Sequence, residues 1–287
     1  MIALPDTINI HITRSCNFTC RYCYAGFEEC NANSLSHQTV LELLAQIASA
    51  PPLPCGRPRK VNFAGGEPLL INGLSQIVRQ AKAVGLVTSI VTNGSLLTPQ
   101  WLGSLRDMLD ICTLSIDSAS ATSNAHVGRY NRKCIPDGAF YQQRASWIRA
   151  AGIRLKINTV VNQTNSGEDL GELIASIDPF RWKILQAKKI IGQNDRAFDQ
   201  LAVTQEEFSA YVRRNRVLVP TSIAVIAETA DDMTDSYAMI APNGSFFGNG
   251  TGTYRYSRPI VDVGIEAAFA DVSFSPDRFR NRGGVYA

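Results

Sequence analysis

Short apolar runs and longer stretches of helical period take turns along the first two-thirds of the chain. Thr7–Thr13 alternates Ile with Asn and His, which predicts a half-buried strand. Ser36 is placed to cap a helix over Gln38–Ser49. Lys60–Ala64, Val87–Thr92, Ile111–Ile116, Arg154–Val161 and Arg181–Gln186 read as further strands. Helices are expected near Asn72–Val84, Pro99–Met108, Ala139–Ala151 and Asp169–Ile177. About six strand–helix units in series call for a parallel sheet. The expected fold class is therefore α/β, a partial (β/α)6 TIM-type barrel, because eight units would close a barrel. Beyond Gly192 the rhythm changes. Thr204–Arg214 is expected to be helical, and Ser222–Ala227 and Ser236–Ile240 to be short strands. Asn243-Gly244 and Gly248-Asn249-Gly250 are turn signals. The expected organisation is one compact unit, a barrel over residues 1–191 with an extension over 192–287 closing its mouth.

The first candidate chemistry is Cys16-Asn17-Phe18-Thr19-Cys20-Arg21-Tyr22-Cys23, three thiols at C-x3-C-x2-C spacing. Three such thiolates can hold three corners of a [4Fe–4S] cube and leave one iron open, as a catalytic metal site requires. The alternative is zinc, with Cys30 or His11 as a fourth ligand, although zinc modules usually repeat a C-x2-C pair and this sequence has none. Cys30, Cys55, Cys112 and Cys134 are scattered singly, which predicts a reducing, cytoplasmic setting rather than a disulfide framework. A hydrophobic content of 45% predicts a globular chain, and a formal charge of +3 leaves no nucleic-acid footprint. No apolar run approaches the roughly 20 residues of a spanning helix, and Met1–Pro5 has no signal-peptide pattern.

Gly65-Gly66-Glu67-Pro68 follows the second strand, where glycines let backbone approach a ligand. Thr92-Asn93-Gly94 and Ser115-Ile116-Asp117-Ser118 end the third and fourth strands, and Gly128-Arg129 lies beyond. Polar residues at the carboxyl ends of parallel strands face the catalytic side of such barrels. Alternation puts Lys156 with Asn158, and Arg181 with Lys183, on common faces, while Lys60 starts the second strand. If those faces turn inward, the gathered cations call for an anionic partner such as a triphosphate.

The cysteine spacing followed by Gly-Gly-Glu-Pro resembles the radical S-adenosylmethionine (SAM) superfamily. Within it, the chain resembles the viperins over nearly its whole length. The matching segments are Asn9–Arg14, Lys60–Pro68, Asn93-Gly94-Ser95, Lys156-Ile157-Asn158, Asn165, Arg181-Trp182-Lys183, Asp235-Ser236-Tyr237, Val261–Gly264 and Arg282–Tyr286. The resemblance implies a cluster on Cys16, Cys20 and Cys23, with SAM on the open iron yielding a 5′-deoxyadenosyl radical. Tyr22, Gly65, Gly66, Glu67, Asn93, Ser115, Asp117 and Arg129 would handle SAM, Glu67 taking its ammonium. It implies dehydration of a pyrimidine ribonucleoside triphosphate, CTP or UTP, to the 3′-deoxy-3′,4′-didehydro analogue, an antiviral terminator of RNA synthesis. The radical would take the 4′ hydrogen, the 3′-hydroxyl would leave as water, and one electron and a proton would complete the product. Lys60, Lys156, Arg181 and Lys183 would clamp phosphates, Asn9 and Asn158 would orient ribose or base, and Tyr237 would donate the last proton or hydrogen atom. Implied partners are a flavodoxin- or ferredoxin-type electron donor and the iron–sulfur assembly machinery.

The sequence departs from animal viperins in several places. Their N-terminal amphipathic membrane helix and terminal Trp have no counterpart, Ala64 stands where Ser usually precedes the glycines, and Gly248–Gly252 is distinctive. No membrane anchor is expected, and a fungal or microbial homologue is implied. Two other classes stay open on the sequence. One is a radical SAM enzyme acting on a peptide or protein; the other is a non-enzymatic scaffold with a structural cluster.

Overall fold

Every one of the six expected barrel strands forms, and the first four end where loops carry candidate chemistry. The computed structural model describes residues 4–285; Met1–Ala3 and the Tyr286 end of the last matching segment lie outside the described residues. The strands are β1 (Thr7–Thr13), β2 (Lys60–Gly65), β3 (Val87–Thr92), β4 (Ile111–Ser115), β5 (Arg154–Val161), β6 (Arg181–Gln186), β7 (Ala224–Glu228), β8 (Ala238–Ile240), β9 (Ser245–Gly248) and β10 (Arg255–Pro259). They form one open sheet in the order β10-β9-β8-β1-β2-β3-β4-β5-β6-β7. From β8 through β7 neighbouring strands are parallel; β9 and β10 add an antiparallel hairpin at one edge. This is a partial TIM-type barrel with more strands than the six read from the sequence. β7 and β8, both from the C-terminal third, extend the parallel sheet at opposite ends, and the sheet stays open between them.

The connecting helices are α1 (His37–Ser49), α2 (Leu74–Ala83), α3 (Pro99–Gly103), α4 (Ala121–His126), α5 (Gly138–Ala150), α6 (Gly171–Ile177), α7 (Asp195–Phe198) and α8 (Gln205–Arg216). The Ser36 hydroxyl accepts from the Thr39 amide, so the expected cap is present. The expected helix Pro99–Met108 is cut to α3, because the chain turns after Gly103 and Asp107 takes a left-handed φ of 63°. Three short helices follow β10: α9 (Ile260–Val263), α10 (Ile265–Ala270) and α11 (Pro276–Asn281). The main core lies between sheet and helices. Trp182, Ile184, Ile157 and Tyr141 are fully buried there, and the Trp182 indole donates to Thr159 Oγ1 at 2.9 Å. Among the described residues, no helix is long and apolar enough to cross a membrane.

Candidate active site

The opposite face of the sheet encloses a cavity of about 240 Å³, and strand alternation decides what faces it. Thr7, Asn9 and His11 line it from β1, Asn62 and Ala64 from β2, Lys156, Asn158 and Val160 from β5, and Lys183 and Leu185 from β6. Register stacks these residues in layers. Asn9 lies opposite Asn62, Lys156 opposite Arg181, and Asn158 opposite Lys183. Cys16, Cys20 and Cys23 line the same cavity from the loop after β1, at the carboxyl end of the sheet. Lys156 and Lys183 sit in the first halves of β5 and β6 rather than at the mouth. At about 3.3 Å per residue, the four steps from Lys156 to Val160 span about 13 Å along β5, and Lys183 lies at the level of Asn158, halfway between.

The cysteine loop is built onto two glycine segments. Gly66 N–H donates to Thr13 O at 2.7 Å, and Glu67 N–H to Ser15 O at 2.8 Å. A side chain at Gly66 would place its first carbon 2.1 Å from Ser15 O, so only glycine admits this approach. On the other side, Thr19 N–H donates to Gly128 O at 3.0 Å and Arg21 N–H to Val127 O at 2.9 Å. Burial pushes the Cys16 thiol up to about 11 and the Cys20 thiol up to about 12, and raises Cys23 as well.

Glu67 is fully enclosed behind the cavity wall. Its carboxylate accepts from Thr92 Oγ1 at 2.7 Å, Asn93 N–H at 2.8 Å and Leu69 N–H at 3.2 Å. Burial raises it to about 7 against the pull of those donors. It thus ties the end of β2 to the end of β3, while Gly65 and Gly66 themselves face the cavity. Asn93 reaches the cysteine loop through Asn17, Nδ2 to Oδ1 at 2.9 Å. Asp117 and Arg129 form a buried ion pair, Nη1 to Oδ2 at 2.9 Å. The Tyr22 hydroxyl donates to the same Asp117 oxygen, and Arg129 also donates to Ser115 O. Arg129 Nη1 lies 4.0 Å from Cys20 Sγ, so this network reaches the thiols directly.

At the other end of the cavity, Lys183 Nζ is 2.5 Å from Glu228 Oε1 and donates to Tyr237 Oη at 2.6 Å. Arg282 lies over the Tyr237 ring at 3.6 Å and 3.3 Å from Glu228 Oε1. Lys156, Lys183, Tyr237 and Arg282 all line the cavity. Lys60 and Arg181 are buried at the amino ends of β2 and β6 without lining it, and Arg181 Nη2 donates to Gly283 O at 2.6 Å. Asn9 Oδ1 accepts from Asn62 Nδ2 at 2.8 Å. The carbonyl oxygens of Asn62 and Asn158 are buried and take no hydrogen bond within the protein. Sequence reasoning missed Glu228 and Asn62. It also left Arg282 in a basic tail without a role. Glu228 stands one residue past the expected end of its strand, so it read as a loop acid.

The residues fit a cluster and SAM by their chemistry: three thiols on one cavity wall, a close-packed glycine ledge beside them, and unsatisfied polar groups deeper in. Among the described residues, no three His, Cys, Asp or Glu side chains draw close enough to hold a single metal ion, so the fit rests on the shared cavity and the donor type. Neither proposed fourth zinc ligand joins the three thiols as a donor pair. Cys30 packs in an apolar cluster with Phe27, Met239 and Phe247. His11 sits between the rings of Phe27 and Phe247, and burial depresses it to about 4, which keeps it neutral.

Comparison with known proteins places this geometry in a class. Residues 10–177 match the Radical SAM superfamily. A protein of Flammeovirga pacifica named S-adenosylmethionine-dependent nucleotide dehydratase is 37% identical over 98% of this chain and 95% of its own length. One of the same name from Lacinutrix mariniflava is 38% identical over 98% of this chain, which spans 58% of that longer protein. The RSAD2 dehydratase of Oncorhynchus mykiss is 30% identical over 99% of this chain and 81% of its own. The chain belongs to the radical SAM superfamily and, within it, to the family of S-adenosylmethionine-dependent nucleotide dehydratases. Its cofactors are accordingly SAM and a [4Fe–4S] cluster. The fold agrees with a solved structure, anSMEcpe with bound AdoMet, at a TM-score of 0.68 and 12% identity over 96% of this chain and 82% of that one.

Proposed function

We propose that this protein dehydrates a pyrimidine ribonucleoside triphosphate, CTP or UTP, to its 3′-deoxy-3′,4′-didehydro analogue. The observation that carries this reading is one cavity with three thiols at its carboxyl end and, set back from them, Lys156 and Lys183 in the first halves of β5 and β6 together with Arg282. That separation suits an extended nucleotide with its ribose toward the thiols and its phosphates among the cations. The names of the relatives support the reaction class. When bound, the cluster and SAM supply the adenosyl radical that removes the 4′ hydrogen. The protein holds the phosphates, and the open carbonyls of Asn62 and Asn158 accept from the sugar or base. Tyr237 holds a proton on its buried hydroxyl that the 3′-hydroxyl takes up as it leaves the substrate radical as water, and one electron then completes the C3′–C4′ double bond. The electron comes from a flavodoxin- or ferredoxin-type donor. Fixing the phosphates matters because misplacement by about 1 Å can lower a rate about 10²-fold.

The test is anaerobic turnover of the reconstituted protein with SAM, dithionite and each ribonucleoside triphosphate, followed by mass spectrometry. A product lighter than its substrate by one water, with deoxyadenosine rising for a pyrimidine only, is expected. Deoxyadenosine formed at the same rate without any nucleotide would defeat the reading. Lys183→Ala should weaken nucleotide binding by tenfold or more, about 1.4 kcal/mol or above, with iron content unchanged; loss of iron in that variant would show that the two ends of the cavity are not separate in role.

Nucleotide binding should also depend on pH through Lys156. Burial, with Arg181 adding to it, lowers this ammonium to about 7. An anion favours the protonated form, so binding takes up a proton above pH 7, and affinity falls by up to about tenfold per pH unit there. Without ligand the sign is opposite. Between about 7 and the usual lysine range the unfolded chain binds the extra proton, so the fold gains stability as pH rises. Calorimetry in buffers of different ionisation enthalpy measures the uptake, and Lys156→Arg should abolish it.

A further inference from the structure

The sheet is open between β7 and β8, and a buried carboxylate stands at that seam beside Lys183 and Arg282, as Asp117 stands beside Arg129 at the thiol end. Glu228 is the last residue of β7 and is fully buried. Its Oε1 is 2.5 Å from Lys183 Nζ and 3.3 Å from Arg282 Nη1, and its Oε2 accepts from the Tyr237 hydroxyl. Tyr237 immediately precedes β8, on the far side of the seam. Arg282 follows α11 and donates twice to Ser236 O, at 2.9 and 2.6 Å. One carboxylate therefore joins the laddered pair β6 and β7 to the start of β8 and the C-terminal segment, across the seam where β7 and β8 are not neighbours in the sheet.

We propose that Glu228 is the internal counter-ion of the anion site: it latches the barrel seam and holds Lys183, Arg282 and Tyr237 in the arrangement that the phosphates meet. The proposal rests on the nucleotide reading of the cavity. Burial alone would raise this carboxyl, but Lys183 and Arg282 outweigh it and hold Glu228 below its usual range. It stays ionised as the counter-charge to Lys183 and Arg282 inside a low-dielectric cavity, where lone cations are costly: burial lowers the Lys183 ammonium well below its usual range, and Glu228 pulls it back up. Lys156, Lys183, Lys188 and Arg282 line the cavity on this side against Glu228, while Arg129 is paired with Asp117 at the thiol end, which leaves an excess of positive charge for a polyanion. Glu228 is thus a positioning residue: it touches the groups that touch substrate, from behind the cavity wall.

The variants are Glu228→Gln, which keeps shape and removes charge, and Glu228→Asp, which keeps charge. Inorganic tripolyphosphate and the nucleotide serve as separate probes on the cluster-loaded enzyme. With the carboxylate gone, the cations repel one another or Lys183 sheds its proton, so Glu228→Gln should bind tripolyphosphate at least tenfold more weakly and raise the nucleotide KM by a similar factor. Glu228→Asp should recover much of both. Iron and sulfide content should match the parent in both variants. Tighter tripolyphosphate binding in Glu228→Gln, as simple removal of a negative charge would give, overturns the proposal. So does unchanged binding, or a loss of folding in both variants, which would make Glu228 a structural acid only. If tripolyphosphate responds as expected while no nucleotide is dehydrated, the anion site stands and the proposed reaction falls.

Discussion

Cys20→Ala is expected to abolish the iron–sulfur absorbance and all SAM cleavage, while the thermal midpoint of the metal-free protein hardly moves. The separation follows from the thiol's surroundings. Burial pushes Cys20 up to about 12, so without metal it is a neutral thiol and contributes no ion pair to the fold. Its neighbour Arg129 is held instead by Asp117 at 2.9 Å and by the Tyr141 hydroxyl at 3.1 Å. Removing one sulfur should therefore cost about 1 kcal/mol of stability. The donor set has no slack: a three-thiolate site reduced to two cannot hold three irons of a cube. Cys30→Ala is the matched control, since Cys30 packs among Phe27, Met239 and Phe247; it should load iron normally. Iron and sulfide analysis with circular dichroism melting checks both. Normal iron loading by Cys20→Ala would refute the assignment of the three ligands.

The barrel was legible because a parallel sheet writes itself twice, once in strand periodicity and once in the polar residues at strand ends. Lys156, Asn158 and Lys183 face the cavity as alternation required, whereas Arg181, on the same face, turns to Gly283 O. No local pattern announces a partner 102 residues away. β9 and β10 escaped because Ser245–Gly248 and Arg255–Pro259 are short and bracket the Gly-rich turn that drew the eye. α4 escaped because Ala121–His126 has no apolar period; a Ser120 cap starts it. Glu67 shows a subtler gap. The motif was visible, but not that its carboxylate would be occupied by Thr92, Asn93 and Leu69. Glu228 became meaningful only when β7 and β8 were seen to flank an unpaired seam.

Gly66→Ala is expected to disable the enzyme through its backbone alone. The new methyl carbon would lie 2.1 Å from Ser15 O, 2.5 Å from Ser15 carbonyl carbon and 2.7 Å from Arg14 O. All three are main-chain atoms just before Cys16, so no side-chain rotation relieves the clash. The loop must move off β2, losing the bonds from Gly66 N–H to Thr13 O and from Glu67 N–H to Ser15 O. Two hydrogen bonds at about 1 kcal/mol each and an overpacking strain of about 1–3 kcal/mol give about 3–5 kcal/mol. That is a large part of a typical domain's stability and should lower the melting temperature by about 5–8 °C. The same displacement carries Cys16 away from Cys20, whose neighbours Thr19 and Arg21 are pinned separately to Gly128 and Val127, and from Cys23, whose N–H donates to Cys20 O. Cluster loading should therefore fail even at temperatures where the variant is folded. Gly167→Ala, at a turn with nothing within 4 Å of the added carbon, should melt and load like the parent. If Gly66→Ala instead loads a full cluster and melts within about 1 °C of the parent, a shift of about 0.6 kcal/mol, the ledge does not position the cysteine loop. The glycine would then serve only to expose backbone to SAM, and binding of SAM to the loaded variant would be the property lost.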